Sequence, residues 1–203
     1  MQPSDFSGIL TRGGTILGTS RQPFKLMRVI DENSVDKVAE MKKNYKKLEL
    51  DCLVVLGGNG TQKTANLLRE EGLNVVSLPK TIDNDLYGTD HCPGFASAAK
   101  YIATSCMEIN KDARVYDNGM ITVVEIMGRH AGWLAASAAL ATVYGSGPDL
   151  IYLPERDFDM NKFLADVDAL YKKNGKVFIA VSEGIHYADG TFVSEAKTSA
   201  TDG

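Results

Sequence analysis

A short polar segment at residues 79–85 places two carboxylates two positions apart, directly after an apolar stretch of the chain. The carboxylates are Asp83 and Asp85, with Asn84 between them and Thr81 before them. In phosphoryl transfer, one carboxylate can accept the proton of the attacking hydroxyl while a second helps to hold Mg²⁺. The same residue types also form Asx turns, whose side chains bond their own backbone, so the spacing alone leaves both interpretations open.

A glycine-rich loop, Gly-Gly-Asn-Gly-Thr at residues 57–61, lies between a predicted strand and a predicted helix. Glycines let the backbone approach an anion closely, and the free N–H groups at a helix N-terminus favour phosphate. The loop matches neither the Walker pattern nor GxGxxG. We predict phosphate binding here; the alternative is a plain strand-to-helix turn capped by Thr61.

A third polar segment, Met-Gly-Arg-His-Ala-Gly at residues 127–132, places Arg129 at a predicted helix start. The helix dipole disfavours a cation at that position, which indicates that Arg129 binds an anion. Pairing with a nearby acid is the alternative. Glu183, at the end of the last predicted strand, is a weaker candidate, because strand ends often carry solvated charges.

Hydrophobic periodicity predicts the elements that must position these residues. Apolar residues every three or four positions predict an amphipathic helix at 35–48, and the run at 50–56 predicts a strand buried on both faces. Further strands are predicted at 75–78, 120–127, 150–153 and 177–182, and further helices at 61–71, 94–112, 130–144 and 161–173. This alternation predicts an α/β fold with a parallel sheet and helices on both faces. The polar segments follow strands, where ligands bind in such sheets.

Composition excludes several classes of partner. The 203 residues carry 22 Lys and Arg against 26 Asp and Glu, a net charge of −4, which argues against general nucleic-acid binding. No apolar run reaches the roughly 18 residues that span a bilayer, so we expect no membrane partner. Cys52, Cys92 and Cys106 lack disulfide or metal-binding spacing, which favours reduced thiols in a cytoplasmic protein.

Taken together, the polar segments resemble the 6-phosphofructokinase family. Its pattern is a GGDG-type phosphate loop, then PxTIDND, then MGR, then a glutamate after a late strand. These stand here at residues 57–61, 79–85 and 127–129 and at Glu183, and Arg-Gly-Gly-Thr at residues 12–15 extends the similarity toward the start. The resemblance implies two Rossmann-like lobes, both partial: a donor-side (ATP) lobe at 1–94 and a fructose 6-phosphate lobe at 95–203.

The resemblance also implies roles for individual residues. Asp83 would be the general base for the sugar 1-hydroxyl, and Thr81 and Arg129 would flank the transferred phosphoryl group as further catalytic residues. The implied fructose 6-phosphate site comprises Thr81, Ile82, Asp83, Met127, Gly128, Arg129 and Glu183. The implied site for the donor, ATP or pyrophosphate, comprises Arg21, Gln22, Gly58, Asn59, Gly60 and Thr61. The implied Mg²⁺ ligands are Asn59 and Asp85.

Three positions depart from the family pattern or disagree with one another. Asn59 replaces the family's aspartate, and an amide is a weaker Mg²⁺ ligand than a carboxylate. Gly60 is typical of ATP users, because a side chain there crowds the nucleotide, whereas Lys80 is typical of pyrophosphate users and of long mixed-type enzymes. We favour ATP and keep pyrophosphate as the alternative. Met120 replaces an arginine that reaches a neighbouring subunit in the short enzymes.

The family's first strand and the later segment that grips the 6-phosphate have no counterpart in the sequence. We therefore expect the fold to be incomplete at both ends and the 203 residues alone to be inactive or nearly so. Self-association into a dimer or tetramer is expected from the family. Lipid and NAD kinases share only the glycine loop, and a non-catalytic regulatory subunit of the same fold is the other alternative.

Overall fold

The computed structural model describes residues 2–16, 18, 24–30 and 35–195. The strands are β1 (Leu53–Gly57), β2 (Val75–Pro79), β3 (Met120–Ile126), β4 (Leu150–Tyr152) and β5 (Lys176–Ser182). The α-helices are α1 (Lys37–Lys47), α2 (Asn59–Glu70), α3 (Phe95–Ala113), α4 (Trp133–Ser137) and α5 (Met160–Asn174). The described 3₁₀ segments are Pro3–Phe6, Ile9–Thr11, Phe24–Leu26, Ala138–Tyr144 and Val193–Glu195. No helix within these ranges is both long and apolar enough to cross a membrane.

The chain forms two compact units, residues 1–53 with 63–75, and residues 54–62 with 76–203. In the first unit, α1 begins after Asp36, whose side chain accepts a hydrogen bond from the Ala39 backbone N–H at 2.9 Å. This N-cap satisfies one of the backbone donors that a helix start leaves free. The core of this unit consists of Met27, Val38, Leu67, Leu68 and Leu73.

The second unit is built on parallel strands, as the alternating pattern predicts. β1 and β2 form a two-stranded sheet, and β3, β5 and β4 form a three-stranded parallel sheet in that order. The main core lies beneath the three-stranded sheet and includes Cys106, Ile126, Leu134, Phe178 and Ala180. The α/β prediction with a parallel sheet is therefore confirmed. The division at residue 94 stays a prediction, although the two sheets lie on either side of that residue.

The register of β3 against β5 positions the polar segments of the second unit. Met120 lies opposite Lys176, and Ile126 lies opposite Ser182, so the two strands end side by side. Because the strands are parallel, residues 127–129 and Glu183 leave the sheet at the same edge. This edge carries two of the segments that the sequence singles out.

Two predictions about individual elements are wrong. β1 is not buried on both faces: Val54 is 58% exposed and Leu56 is 63% exposed, because no element in the described ranges covers that side of the strand. The helix predicted at 130–144 begins only at Trp133, so Arg129 does not lie at a helix start; it is an α-helix only over α4 and continues as a 3₁₀ segment. There the hydroxyls of Ser137 and Thr142 donate to carbonyls three residues earlier, which competes with regular α-helical bonding.

Candidate active site

The glycine loop places a helix N-terminus beside the segment at 79–85. The Gly57 carbonyl accepts hydrogen bonds from the Lys80 N–H and from the Gln62 side chain, both at 3.0 Å. A Cβ at Gly57 would lie 2.5 Å from the Thr61 Cβ, and one at Gly58 would lie 3.3 Å from the Thr81 Cβ. A side chain at Gly57 would therefore collide with Thr61, whereas one at Gly58 would press closely against Thr81.

Asn59 and Gly60, by contrast, are exposed at the start of α2. A Cβ added at Gly60 would meet no atom within 4 Å among the described residues. The N-terminus of a helix suits an anion, because its dipole favours negative charge there. The loop therefore offers an open surface suited to phosphate.

The turn at 79–85 uses Thr81 and Asn84 for its own structure. The Thr81 Oγ1 accepts a hydrogen bond from the Asp83 N–H at 3.2 Å, and Thr81 bridges to Gly94. Asn84 is buried at φ 54°; its Oδ1 accepts from the Cys92 N–H at 2.8 Å, and its Nδ2 donates to the Asp90 carbonyl at 3.1 Å. Asn84 therefore does not form an Asx turn, because its side chain bonds backbone groups six and eight residues further on; the local side-chain turn is made by Thr81.

Each of the two carboxylates of this turn has an oxygen that makes no hydrogen bond within the turn. Asp83 and Asp85 each bury one Oδ1 atom that has no hydrogen-bond partner in the part of the chain that the structure describes. Burying a polar atom without a partner costs free energy, and native proteins retain such atoms mainly where a ligand or a catalytic role requires them. The unpaired oxygens are therefore the strongest local sign of a functional site.

The surroundings of Asp83 raise the pKa of its carboxyl above the ordinary value of 3.8. Burial is the largest cause, and the negative charges of Asp85 and Glu183 act in the same direction. The positive charges of His130 and Lys80 lower the pKa and offset part of the rise. A carboxylate with a raised pKa is a stronger base, which is what proton abstraction from a hydroxyl requires.

Glu183 lies against the loop that follows β3. The Gly128 N–H donates to the Glu183 Oε1 at 3.1 Å, and the Ser182 hydroxyl donates to the Gly128 carbonyl at 2.7 Å. Gly128 has φ 115°, and a Cβ there would lie 2.7 Å from the Ala131 carbonyl oxygen. Only glycine adopts this conformation without strain, so the residue type is dictated by the backbone.

The backbone of Arg129 is equally tightly packed. A Cβ at Gly184 would lie 2.6 Å from the Arg129 carbonyl carbon and still closer to its oxygen. The guanidinium lies over the Phe192 ring, with the Cζ 5.5 Å from the ring centroid. Within the described ranges this side chain makes no hydrogen bond or ion pair, so the alternative of pairing with a nearby acid finds no support there.

The structure thus brings together most of the residues that the sequence singles out. Asp83, Asp85 and Glu183 influence one another through charge, and Gly128 and Glu183 are hydrogen-bonded. Met127 is 60% exposed beside them, whereas Ile82 packs against the main core. The Arg129 guanidinium is not among the charges that act on Asp83. Arg21 and Gln22 lie outside the described residues.

Four residues of this region were given no role by the sequence interpretation. His130 follows Arg129 directly, and its influence on the Asp83 carboxyl could have been suspected from that position. Ser182 and Gly184 flank Glu183 and hold the 127–129 loop, as a search around the late-strand glutamate could have found. Phe192 carried no signal, because nothing local distinguishes an aromatic residue that stacks on arginine from one that fills a core.

Comparison with known proteins identifies the family of the chain. A sequence model of the family described as Phosphofructokinase matches residues 1–202. The chain is 47% identical over 189 residues to an ATP-dependent 6-phosphofructokinase of Spirochaeta thermophila, covering 91% of this chain and 50% of that protein. It is 44% identical over 158 residues to a pyrophosphate–fructose 6-phosphate 1-phosphotransferase of Rhodospirillum rubrum, covering 74% of this chain and 39% of that protein.

A crystal structure of a pyrophosphate-dependent phosphofructokinase from Nitrosospira multiformis superimposes with a TM-score of 0.68 at 35% identity, covering 76% of this chain and 42% of that one. The chain thus spans about half the length, or less, of these relatives. The family-model match over residues 1–202 and the 47% identity to a curated relative lead to one conclusion: the chain belongs to the phosphofructokinase family.

Proposed function

We propose that this chain carries the phosphoryl-transfer site of an ATP-dependent 6-phosphofructokinase, which converts fructose 6-phosphate and ATP to fructose 1,6-bisphosphate and ADP. The observation that carries the proposal is the Asp83 carboxyl, with a raised pKa and a buried oxygen left without a partner among the described residues. Family membership supports the reaction class, and the names of the curated relatives support the substrate.

In the proposed reaction, Asp83 accepts the proton of the sugar 1-hydroxyl as that oxygen attacks the terminal phosphorus of the donor. The bond between this phosphorus and ADP breaks, and the negative charge on the phosphoryl oxygens is stabilised by Arg129 and Thr81. An arginine in this role contributes about 10³–10⁵ in rate where it has been measured. The assignment of Arg129 is supported by its exposure and by the absence of any hydrogen bond from its guanidinium to the described residues.

We assign fructose 6-phosphate to the edge formed by the 127–129 loop and Glu183. The Glu183 carboxylate would accept hydrogen bonds from sugar hydroxyls while it holds the Gly128 N–H. Met127, Gly128 and Arg129 would line the site, together with Thr81, Ile82 and Asp83. Exposure of Met127 beside the buried Gly128 supports an open sugar site at this edge.

The donor would bind at the glycine loop, against Gly58, Asn59, Gly60 and Thr61, with Arg21 and Gln22 contributing. The open space at Gly60 supports a nucleotide, because a side chain in that space would crowd it. Lys80 favours the second candidate, a pyrophosphate-dependent enzyme, and relatives with both names match this chain. We therefore propose ATP as the donor and test pyrophosphate against it.

Magnesium fits the same edge. The unpaired buried oxygens of Asp83 and Asp85 are what a cation would satisfy, and carboxylate and amide oxygens suit Mg²⁺. Within the described ranges no three His, Cys, Asp or Glu side chains are grouped so as to hold a metal ion by themselves. A bound Mg²⁺ would therefore also need oxygen ligands from donor phosphates and water. Asp85 and Asn59 would hold it, and it would neutralise charge on the donor phosphates.

Further parts of the proposal rest on the family resemblance. The lobe at 1–94 would bind the donor and the lobe at 95–203 the sugar phosphate. We propose a cytoplasmic homodimer or homotetramer, and the three free cysteines support a reducing compartment. Light scattering of the purified protein would determine the oligomeric state.

The test is donor competition on the protein in its natural full length, with fructose 6-phosphate, Mg²⁺ and matched concentrations of ATP and pyrophosphate. The proposal expects transfer mainly from ATP, and transfer mainly from pyrophosphate would replace the donor assignment. If calorimetry detects sugar-phosphate binding and no turnover is measured, the result would favour a non-catalytic regulatory subunit. This alternative is kept because Asn59 replaces the family's aspartate, a stronger Mg²⁺ ligand. Phosphorylation of NAD with inert fructose 6-phosphate would overturn the proposal.

A further inference from the structure

A tight turn after β5 brings the Phe192 ring beneath the Arg129 guanidinium. The Tyr187 N–H donates to the Thr191 carbonyl at 3.0 Å, and the Val193 N–H donates to the Ile185 carbonyl at 3.1 Å. These bonds close a hairpin whose bridge pairs His186 with Phe192 in antiparallel fashion. The backbone of Phe192 is therefore fixed by this pairing.

The turn of this hairpin is itself locked. The Asp189 carboxylate accepts a hydrogen bond from the Thr191 N–H at 2.9 Å, and this bond lowers the pKa of the Asp189 carboxyl. Gly190 has φ 83°, a conformation that glycine adopts without strain. The His186 ring meets the Phe192 ring edge-on, with the centroids 6.3 Å apart. The Phe192 ring thus contacts the His186 ring and, on the side of the hairpin that faces Arg129, the guanidinium.

Stacking on an aromatic ring leaves the N–H donors of a guanidinium available, whereas an ion pair uses some of them. The face of an aromatic ring attracts a guanidinium without using its five in-plane N–H donors. Arg28 and Arg114, by comparison, direct guanidinium nitrogens at carboxylates, Arg28 at Glu71 at 3.2 Å and Arg114 at Asp149 at 3.7 Å. The Arg129 guanidinium contacts the Phe192 ring, and within the described ranges none of its N–H groups donates a hydrogen bond.

The same stretch of chain also fixes the Arg129 backbone. Gly184, two residues after the end of β5 and eight residues before Phe192, packs directly against the Arg129 carbonyl group. The segment 184–192 therefore contacts the arginine at both ends, the backbone through Gly184 and the guanidinium through Phe192. Contacts to both the backbone and the guanidinium keep a side chain in one position, so that it can stabilise a transition state without first changing its conformation.

We propose that Phe192 is a positioning residue for the phosphoryl-transfer reaction: its ring holds the Arg129 guanidinium in place with every N–H donor free for the transferred phosphoryl group. This inference rests on the proposed function, because it takes Arg129 to act on that group. Phe192 itself contacts no reacting atom in this proposal. Its removal therefore affects turnover through Arg129 alone.

The experiment compares Phe192→Leu, which removes the ring, with Phe192→Tyr, which keeps it, in the protein in its natural full length. We expect Phe192→Leu to lower kcat about threefold to tenfold, with the KM for fructose 6-phosphate nearly unchanged. Phe192→Tyr should retain most of the activity. Tyr187→Leu is the matched control, because it removes an aromatic ring of the same hairpin that stacks on Phe158 instead of on arginine.

A double-substitution cycle separates positioning from general damage. In an Arg129→Ala background, Phe192→Leu should cause no further loss of kcat, because its effect passes through the guanidinium. If Phe192→Leu does not fold, pentafluorophenylalanine at position 192 keeps the ring's shape while removing its attraction for a cation, and the same fall in kcat is expected. Wild-type kcat in a folded ring-deleted or fluorinated variant, or additive losses in the cycle, would overturn the inference.

A second readout does not depend on turnover. The Arg129 Nε–Hε resonance should carry a ring-current shift that disappears in Phe192→Leu and persists in Tyr187→Leu. An unshifted resonance in the wild-type protein would also overturn the inference. If the wild-type protein transfers no phosphoryl group from either donor, the proposed function fails, whereas this resonance still reports whether the ring holds the guanidinium. The two failures are therefore distinguishable.

Discussion

The Gly128 N–H donates to the Glu183 carboxylate at 3.1 Å, although the two residues are 55 positions apart in the chain. The pairing of β3 with β5 produces this contact, because both strands end at the same edge of the sheet. Glu183 thereby shapes the 127–129 loop, and its charge also raises the pKa of Asp83. One carboxylate thus links the proposed sugar site to the proposed base.

Replacing Glu183 separates these two roles. Glu183→Ala removes the acceptor of the Gly128 N–H, so we expect the free energy of unfolding to fall by about 1–2 kcal/mol and the KM for fructose 6-phosphate to rise. Glu183→Gln retains an acceptor oxygen and should recover most of the stability. Because Gln carries no charge, it should also lower the pKa of Asp83 and move the acidic limb of the kcat/KM profile to lower pH.

Denaturant titrations of both variants, together with pH–rate profiles of the glutamine variant, check this prediction. Equal stability losses in the two variants would contradict the hydrogen-bonding role. An acidic limb that moves to higher pH in Glu183→Gln would contradict the charge effect.

Gly184→Ala tests the close packing against Arg129. The added methyl group would meet backbone atoms of Arg129, which cannot move aside as a flexible side chain could. We expect a loss of about 1–3 kcal/mol in the free energy of unfolding, with a fall in kcat. Gly60→Ala is the control for stability: its Cβ meets nothing within 4 Å among the described residues, and a helical alanine adds about 0.5–1 kcal/mol. Thermal unfolding of both variants decides the matter.

Asp83→Asn should remove the proposed base and relieve an unfavourable charge. We expect kcat to fall about 10²–10⁴-fold, the range for loss of a general base. Because the pKa of Asp83 is raised in the folded state, its protonated form is favoured there, so Asp83 contributes stability below pH 3.8 that is lost as pH rises through the folded pKa. The asparagine variant should therefore be more stable than the wild type at neutral pH.

This stability gain should disappear below pH 3.8, where the wild-type carboxyl is protonated in both states. Thermal unfolding at neutral and acidic pH measures the difference. Asp90→Asn is the matched control, because its side chain is exposed and only its backbone carbonyl supports the turn, through Asn84. A destabilised Asp83→Asn at neutral pH, or a comparable loss of kcat in Asp90→Asn, would argue against the assignment.

His130→Gln should move the acidic limb of the kcat/KM profile to higher pH. The positive charge of His130 lowers the pKa of Asp83, and its removal leaves burial, Asp85 and Glu183 to raise that pKa further. Since the base acts in its ionised form, activity would be lost earlier as the pH falls. His91→Gln is the control, because the His91 ring lies against Phe95 and His91 is not among the charges that act on Asp83. A shift in the opposite direction, or one shared by the control, would contradict the prediction.

Local sequence patterns were sufficient for most of the fold. Apolar periodicity predicted β3 and β5 to within a residue at either end, because burial on a strand or helix face repeats at fixed spacing. It could not show which faces are covered, and so Val54 and Leu56 are exposed where a doubly buried strand was predicted. The 3₁₀ segment Ala138–Tyr144 likewise depends on hydroxyl bonds that periodicity does not register.

The sequence by itself determined which chemical groups the site contains, because ligands of α/β proteins bind where strands end and the polar segments of this chain follow strands. The tertiary structure alone decided how those groups are used. The strand order β3-β5-β4 sets Glu183 against Gly128, the turn at 79–85 leaves oxygens of Asp83 and Asp85 unpaired within the described ranges, and the hairpin brings Phe192 to Arg129. Such contacts join residues far apart in the chain, and they depend on strand order and register, which local spacing does not encode.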